Sequence, residues 1–292
     1  LFLALFFGLT TLIVGQFINY NFSSILLFSG CLALSDFIKG KILTGFPWNL
    51  WAYSWSWVVE ILQLLNIIGL YAFNLIVITF FTIPAILFFK SGIKKKFLAL
   101  SVSLALIFSI FIYGTFSINK NKGILNFIKK ENTIYTKVIS PNFDLKYETS
   151  IIEIESKIKK LIKYSEPNED LTTLFIWPEG VFTGFDFDEI SQFKSLIENA
   201  FLDKHLIIFG INTSDKKNEK YFNSLVVVNN KFEILYKYNK KKLVPFGEFL
   251  PFENILNNFG LKKITLGHGS FNSGKEQKNF SYNNINILPL IC

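Results

Sequence analysis

The chain has 292 residues, half of them hydrophobic, with 34 Phe, no Met and a formal net charge of +8. A mean hydropathy of +0.36 excludes an ordinary soluble or disordered chain and points to the membrane class. Two cysteines and two histidines exclude a disulfide framework and leave little from which to build a zinc site.

In chain order, apolar runs cover residues 1–17, 22–37, 67–89 and 97–116, and Asp36 is the only acid among them. A membrane span needs about 20 apolar residues. The last two runs meet that length and the first two fall slightly short, so four spans are expected. Between the second and third runs lies "TGFPWNLWAYSWSWVVEILQLLN", residues 44–66, interrupted by Pro47, Asn49, Glu60, Gln63 and Asn66. It holds four of the five tryptophans, and indoles collect at the lipid headgroup level. An interfacial loop, or a helix lying in the membrane surface, is expected there in preference to a fifth span. The first run is not a signal peptide, because further spans and no cleavable polar segment follow it. Lys90 and Lys94 to Lys96 sit in the loop between the last two runs, where the positive-inside rule would put cytoplasm and send the following domain outside. Lys39, Lys41, Lys120, Lys122, Lys129 and Lys130 lie on the opposite side, so charge alone leaves the orientation open.

The texture changes near residue 118. Lys, Asn, Asp, Glu and Ser now mix with short apolar runs. We therefore divide the chain into a helical membrane domain, 1–117, and a second domain, 118–292, large enough for its own core. The lysines of this second part alternate with acids and no nucleic-acid motif accompanies them, which argues against nucleic acid and for a basic face toward anionic lipid. "NTIYTKVISPNF" reads as a strand entering a turn, and "ETSIIEIESKIKKLIKY" as an amphipathic helix with Ile151, Ile154, Ile158, Leu161 and Ile162 on one face. "LTTLFIWPE" reads as a strand buried on both faces, residues 188–203 have helical spacing, and "HLIIFGINT", "NSLVVVNN", "FEILYKYN" and "NINILPLIC" read as further strands. Strands alternating with helices predict an α/β layer arrangement.

Three positions at predicted strand ends carry candidate chemistry. Glu179 closes "LFIWPE" beside Trp177, where a carboxylate suits a general base. In "YNKKKLVPFGEFLPF", residues 238–252, three lysines precede an apolar plunge and Glu248, so at least one lysine is drawn inward. Cys292 ends the last run. A thiol nucleophile needs a base for its proton and a cation for the oxyanion, and Glu, Lys and Cys supply those roles. His205 and His268 are read as structural, and Cys31 as a packing residue within a span.

"WPE", then "YNKKKLVPFGEFLPF", then a strand-end Cys resemble the Glu-Lys-Cys triad of the nitrilase superfamily. Placed after membrane spans, and with "GKILTGFPWNLWAYS" similar to a loop between two spans, they resemble the membrane-bound apolipoprotein N-acyltransferase family over nearly the whole chain. The resemblance implies a polytopic helical membrane domain followed by a nitrilase-like α-β-β-α sandwich. It implies Glu179 as base, Lys240 as oxyanion-stabilising cation, Cys292 as nucleophile and Glu248 as a supporting carboxylate, with no cofactor and no metal. Lys240 is preferred to Lys241 and Lys242 by its place after Tyr238 in "YNK". The implied reaction takes an acyl chain from a membrane phospholipid and gives it to the α-amine of a diacylglyceryl-cysteine at an apolipoprotein N-terminus, in the inner membrane with the second domain periplasmic. Tyr147 stands where the family tends to have Trp. A membrane-tethered amidase using water, and a non-catalytic scaffold, are the alternatives. Because the chain starts within an apolar run and ends on Cys292, it is expected to be a piece of a longer protein, cut within the sandwich and inactive by itself.

Overall fold

The computed structural model describes residues 2–42, 45–127, 134–144, 149–256, 258, 260, 270–275, 279–282 and 285–291. Cys292, His268 and Tyr147 lie outside the described residues. The chain divides into two compact units, Leu1–Lys129 and Lys130–Cys292.

In the first unit, helix α1 spans Phe2–Gly15 and α2 spans Phe22–Lys39. Asn21 caps α2 by accepting from the Ser24 N–H at 2.9 Å, which satisfies one of the orphan donors of the first turn. A 3-10 stretch, Trp51–Trp55, and the short helix α3, Val59–Leu62, lead into α4, Leu65–Thr82. A second 3-10 stretch, Ile83–Phe88, extends α4 through Pro84, and α5 runs from Ile93 to Phe127. Three of these segments, Phe22–Lys39, Leu65–Phe88 and Ile93–Gly123, are long and apolar enough to cross a membrane. The first apolar run instead makes the 14-residue α1. The segment expected as an interfacial loop contains the 3-10 stretch and α3, and α4 begins inside it at Leu65. The expected boundary at 117/118 falls within α5, whose helix continues through Asn119 to Phe127.

The second unit is built on a five-stranded sheet in sequential order: β1 Tyr135–Val138, β2 Thr173–Ile176, β3 His205–Asp215, β4 Lys220–Val228 and β5 Ile234–Asn239. The first three strands are parallel and the last two antiparallel to their neighbours. Helix α6, Ile151–Ser165, makes the first crossover. Its start is a capping box, in which Glu153 Oε2 accepts from the Ser150 N–H at 2.9 Å and Ser150 Oγ from the Glu153 N–H, a device that contributes about 1 kcal/mol. The second crossover, expected as one helix over 188–203, is broken into α7 Phe187–Ile190, a 3-10 stretch Ser191–Phe193 and α8 Lys194–Glu198.

Alternation along the strands gives the sheet two different faces. On one, Phe175, Trp177, Ile207, Phe209, Val226 and Val228 pack against Ile154, Ile158 and Leu161 of α6 and Ile197 of α8. Phe209 lies at the centre, with ring centroids 5.8 Å from Trp177, 5.6 Å from Phe182 and 6.0 Å from Phe232. On the other face, Leu174, Leu206, Ile208 and Val227 meet Phe280, Tyr282 and Ile287. The last two described strands, β6 Phe280–Tyr282 and β7 Ile285–Ile287, form an antiparallel sheet of their own. One sheet face thus carries helices and the other carries β-structure. The last run was expected to be a strand of the main sheet reaching Cys292. Instead β7 ends at Ile287, two residues before Pro289, which has no N–H to continue a ladder.

Candidate active site

Glu179 lies just beyond the C-terminal end of β2. The ladder outlasts the strand by one bond, Trp177 N–H donating to Ile208 O at 2.8 Å, and the chain then turns through Pro178, Glu179 and Gly180, with Gly180 at φ 70°. Glu179 is exposed, and its stem lies over Gly210 of β3. A Cβ at Gly210 would stand 3.0 Å from Glu179 Cγ and 3.2 Å from Ile291 Cδ1. The missing side chain lets Glu179 and Ile291, the residue before Cys292 in sequence, close over the same point of the strand.

Lys240 arrives at the same end of the sheet by another route. It follows β5, which runs parallel to β3 across the antiparallel β4. Its N–H donates to Asn223 O at 2.8 Å, and Asn223 pairs with Asn212, two residues past Gly210 on β3. The alternation that puts Leu206, Ile208 and Gly210 on one face also puts Asn223, Leu225, Tyr236 and Tyr238 there. The side chains around Lys240 therefore belong to the face on which Glu179 sits. On that face burial pushes the Tyr236 phenol above its ordinary value, with Tyr238 adding to the shift.

The ammonium of Lys240 is only 6% exposed as a residue, and it is paired. Its Nζ lies 3.0 Å from Glu248 Oε1 and 2.8 Å from Oε2. The carboxylate also accepts from Asn223 Nδ2 at 2.7 Å and from the Val244 N–H at 2.8 Å. A buried cation is stable only when paired and hydrogen-bonded, and Glu248, itself held by Asn223 and the Val244 amide, supplies that pairing. The loop that presents it is tight: Glu248 N–H donates to Val244 O at 2.8 Å, Phe246 N–H to Phe249 O at 2.7 Å, and Phe246 has φ 63°. A strap of residues closes over the lysine, with Phe271 N–H bound to Glu248 O and Gly274 N–H to Lys240 O, both at 2.8 Å.

The structure thus puts Glu179, Lys240 and Glu248 at one end and on one face of one sheet. Of the three lysines in "NKKKL", Lys240 is buried while Lys241 and Lys242 are exposed. His205 is a core residue: its Nδ1 accepts from the Leu202 N–H and its Nε2 donates to Asn168 O, each at 3.0 Å. Among the described residues no group of His, Cys, Asp and Glu could hold a metal ion. Sequence reasoning missed Asn223, Gly210 and the Val244 amide. Asn223 could have been found, because in "FNSLVVV" the period-2 pattern puts this amide on the same face as Leu225 and Val227. Gly210 gave the other signal, an isolated glycine inside a buried strand marking a close approach.

Residues 1–83 match the family model described as the apolipoprotein N-acyltransferase N-terminal domain. Curated relatives include the apolipoprotein N-acyltransferase of Brucella melitensis, 26% identical over 100% of this chain and 55% of the relative, and that of Rickettsia prowazekii, 29% identical over 91% of this chain and 52% of the relative. Among solved structures, an N-terminal amidase aligns over 39% of this chain and 29% of its own at 20% identity, with a TM-score of 0.27. The chain spans about half the length of the curated relatives it matches. Over its first 83 residues the chain is similar to the family model, and along nearly its whole length it is similar to these apolipoprotein N-acyltransferases.

Proposed function

We propose that the protein to which this chain belongs transfers a fatty-acyl chain from a phospholipid, through a thioester on Cys292, to the N-terminal α-amine of a diacylglyceryl-cysteine on an apolipoprotein. The observation that carries this reading is Lys240, a buried ammonium locked by Glu248 and Asn223 on the sheet face where Glu179 crosses Gly210. In the first half-reaction the Cys292 sulfur attacks the ester carbonyl while Glu179 takes the thiol proton. Lys240 faces the negative charge that develops on the carbonyl oxygen. Collapse breaks the ester C–O bond, the departing alkoxide takes the proton back from Glu179, and lysophospholipid leaves. In the second half-reaction the lipoprotein amine attacks the thioester, Glu179 takes the amine proton, and the thiol is restored as the amide forms. Glu248 works by fixing Lys240, with which it forms a buried ion pair.

The first unit suits this chemistry because both substrates are lipids: three helices of membrane-spanning length keep the enzyme at the bilayer where they reside. We place the protein in the bacterial inner membrane with the second unit periplasmic. One lysine of the charge count is internal to the first unit. Lys39, on the side opposite Lys90 and Lys94–Lys96, is buried against Asp36 at 2.7 Å, so it is an internal counter-ion and drops out of the tally of loop charges.

The test is covalent capture. Full-length protein mixed with phospholipid should gain the mass of one acyl chain, lost in Cys292→Ala and removed by hydroxylamine. Absence of the adduct in the wild-type protein overturns the acyltransferase reading. For orientation, Ser214→Cys in intact cells should react with an impermeant thiol reagent before the inner membrane is opened; protection until then would place the second unit inside.

A further inference from the structure

The first unit contains a second buried ion pair that the proposed chemistry does not use. Asp36 and Lys39, on the last turns of α2, are 2% and 3% exposed, and Lys39 Nζ lies 2.7 Å from Asp36 Oδ1. The other carboxylate oxygen accepts from Asn74 Nδ2 of α4 at 2.9 Å. Asn74, fully buried, turns its own Oδ1 to the backbone N–H of Ala52, 3.0 Å away in the 3-10 stretch. Phe46 N–H donates to Lys39 O at 3.0 Å. The ion pair and the Asn74–Asp36 bond thus tie two helices of spanning length together, and two further hydrogen bonds, from the Phe46 and Ala52 amides, tie the irregular segment 46–58 to them. Irregular backbone beside lipid requires internal partners for its amides, and Asn74 supplies one from the neighbouring helix.

What the ties hold in place is a ledge with two unlike sides. Leu50 and Ala52 are buried against Phe73 and Val77 of α4, while Trp48, Trp51, Tyr53 and Trp57 are exposed, Trp57 to 79%. The polar ends of two of these rings are already satisfied within the segment, Tyr53 OH by Pro47 O and Trp57 Nε1–H by Ser54 O, both at 2.9 Å. The rings therefore offer apolar faces to their surroundings. Aromatic rings so placed at the end of membrane-spanning helices suit the zone where glycerol meets acyl chain.

We propose that Asp36, Lys39 and Asn74 form an intramembrane lock that fixes segment 46–58 as an aromatic ledge for the glycerol and upper acyl region of a phospholipid, with Asn74 the positioning residue through which the lock acts. That this lipid is the acyl donor rests on the function proposed above; the ledge and its lock do not. The ion pair neutralises two charges within the apolar unit, and the amide of Asn74 transmits their fixed position to the segment.

Four of the five tryptophans lie in the ledge, so fluorescence reports on it directly. Full-length protein is reconstituted in phosphatidylcholine vesicles brominated either near the glycerol or near the acyl terminus. The wild-type protein should be quenched more by the shallow bromines. Asn74→Ala should lose that preference while far-UV helical content is kept, and the KM for phospholipid should rise about tenfold with kcat retained, as expected for loss of one buried hydrogen bond. The neutral pair Asp36→Asn with Lys39→Met keeps an acceptor for Asn74 Nδ2 and should keep the wild-type quenching pattern. Asn74→Leu, close in volume, is read in the same way if the alanine variant fails to fold. Wild-type quenching in a folded Asn74 variant would overturn the proposal. If the wild-type protein transfers no acyl chain, the acyltransferase reading falls and the quenching arm alone decides the lock.

Discussion

Among the described residues, each unit buries one lysine against one carboxylate, and each adds an asparagine, yet the two clusters are built differently. In the first, Asp36 and Lys39 stand three residues apart on one helix, and only Asn74 comes from afar. In the second, Asn223 of β4, Lys240 at the end of β5 and Glu248 of a loop come from three separate elements. Lys39 is the last residue of its helix, with a long stem able to reach the interface if its partner is removed. Lys240 is instead buried at the end of a strand, with the Gly274 N–H bonded to its backbone carbonyl. A local pair can relax when broken. A pair assembled by tertiary contacts cannot.

The sharpest way to break the comparison is Glu248→Ala. It leaves the Lys240 ammonium buried and uncompensated, for a loss of about 3–5 kcal/mol, to be read as a lowered thermal unfolding midpoint of the intact protein in detergent, together with loss of the acyl-thioester. Lys240→Met should cost less, about 1–2 kcal/mol, because Glu248 keeps its bonds from Asn223 and Val244; acyl-thioester formation should nevertheless vanish. Equal destabilisation by the two would show that Glu248 is not the residue that holds the site together. Asp36→Ala in the first unit should cost no more than about 1–3 kcal/mol if Lys39 snorkels outward. A loss as large as that of Glu248→Ala, in the same melting experiment, would erase the distinction between local and assembled pairs.

Two further changes should move stability little. Gly210→Ala puts a methyl group against the flexible, exposed Glu179, so about 1 kcal/mol or less is expected, but the rate of thioester formation should fall on the order of 100-fold as the base is displaced. The smallest effect belongs to a surface pair. Lys137 Nζ donates to Glu166 Oε2 at 2.9 Å, and that hydrogen bond, followed by the charge of the lysine, holds the Glu166 carboxyl below its ordinary value. A depressed folded-state value means stability that is present above the ordinary carboxylate range and lost as the pH falls through the depressed one. Glu166→Gln should therefore melt almost with the wild type at neutral pH, and the two curves should coincide in acid; a gap that widened on acidification would reverse the sign.

How much of this could be read from the amino acids differs by element. Helices α2, α4 and α5 are visible as unbroken apolar runs because a helix in lipid must satisfy every backbone group internally and so needs about 20 apolar residues in succession. Strands β3 and β4 are visible as "HLIIFGINT" and "NSLVVVNN", and helix α6 by its spacing of isoleucines, since periodicity is local. The second crossover was misread as one helix because a 3-10 step at Ser191–Phe193 breaks it where Phe193 packs against the core, a choice made by packing and not by spacing.

At the candidate site the sequence by itself determined which chemistry was on offer: a strand-end Glu179, a lysine triplet and Glu248 close behind it. It also determined that Asp36 was the lone acid in an apolar run. Only the tertiary structure decided that Lys240 and not Lys241 or Lys242 turns inward, that Asn223 and the Val244 amide complete its anchor, and that Gly210 makes room for Glu179. It alone joined Asp36, through Asn74, to the amide of Ala52. The physical reason is the same in each case. Propensity and periodicity act over a few residues along the chain, whereas the pairing of a buried charge is enforced by desolvation, and desolvation depends on whichever distant elements close around it.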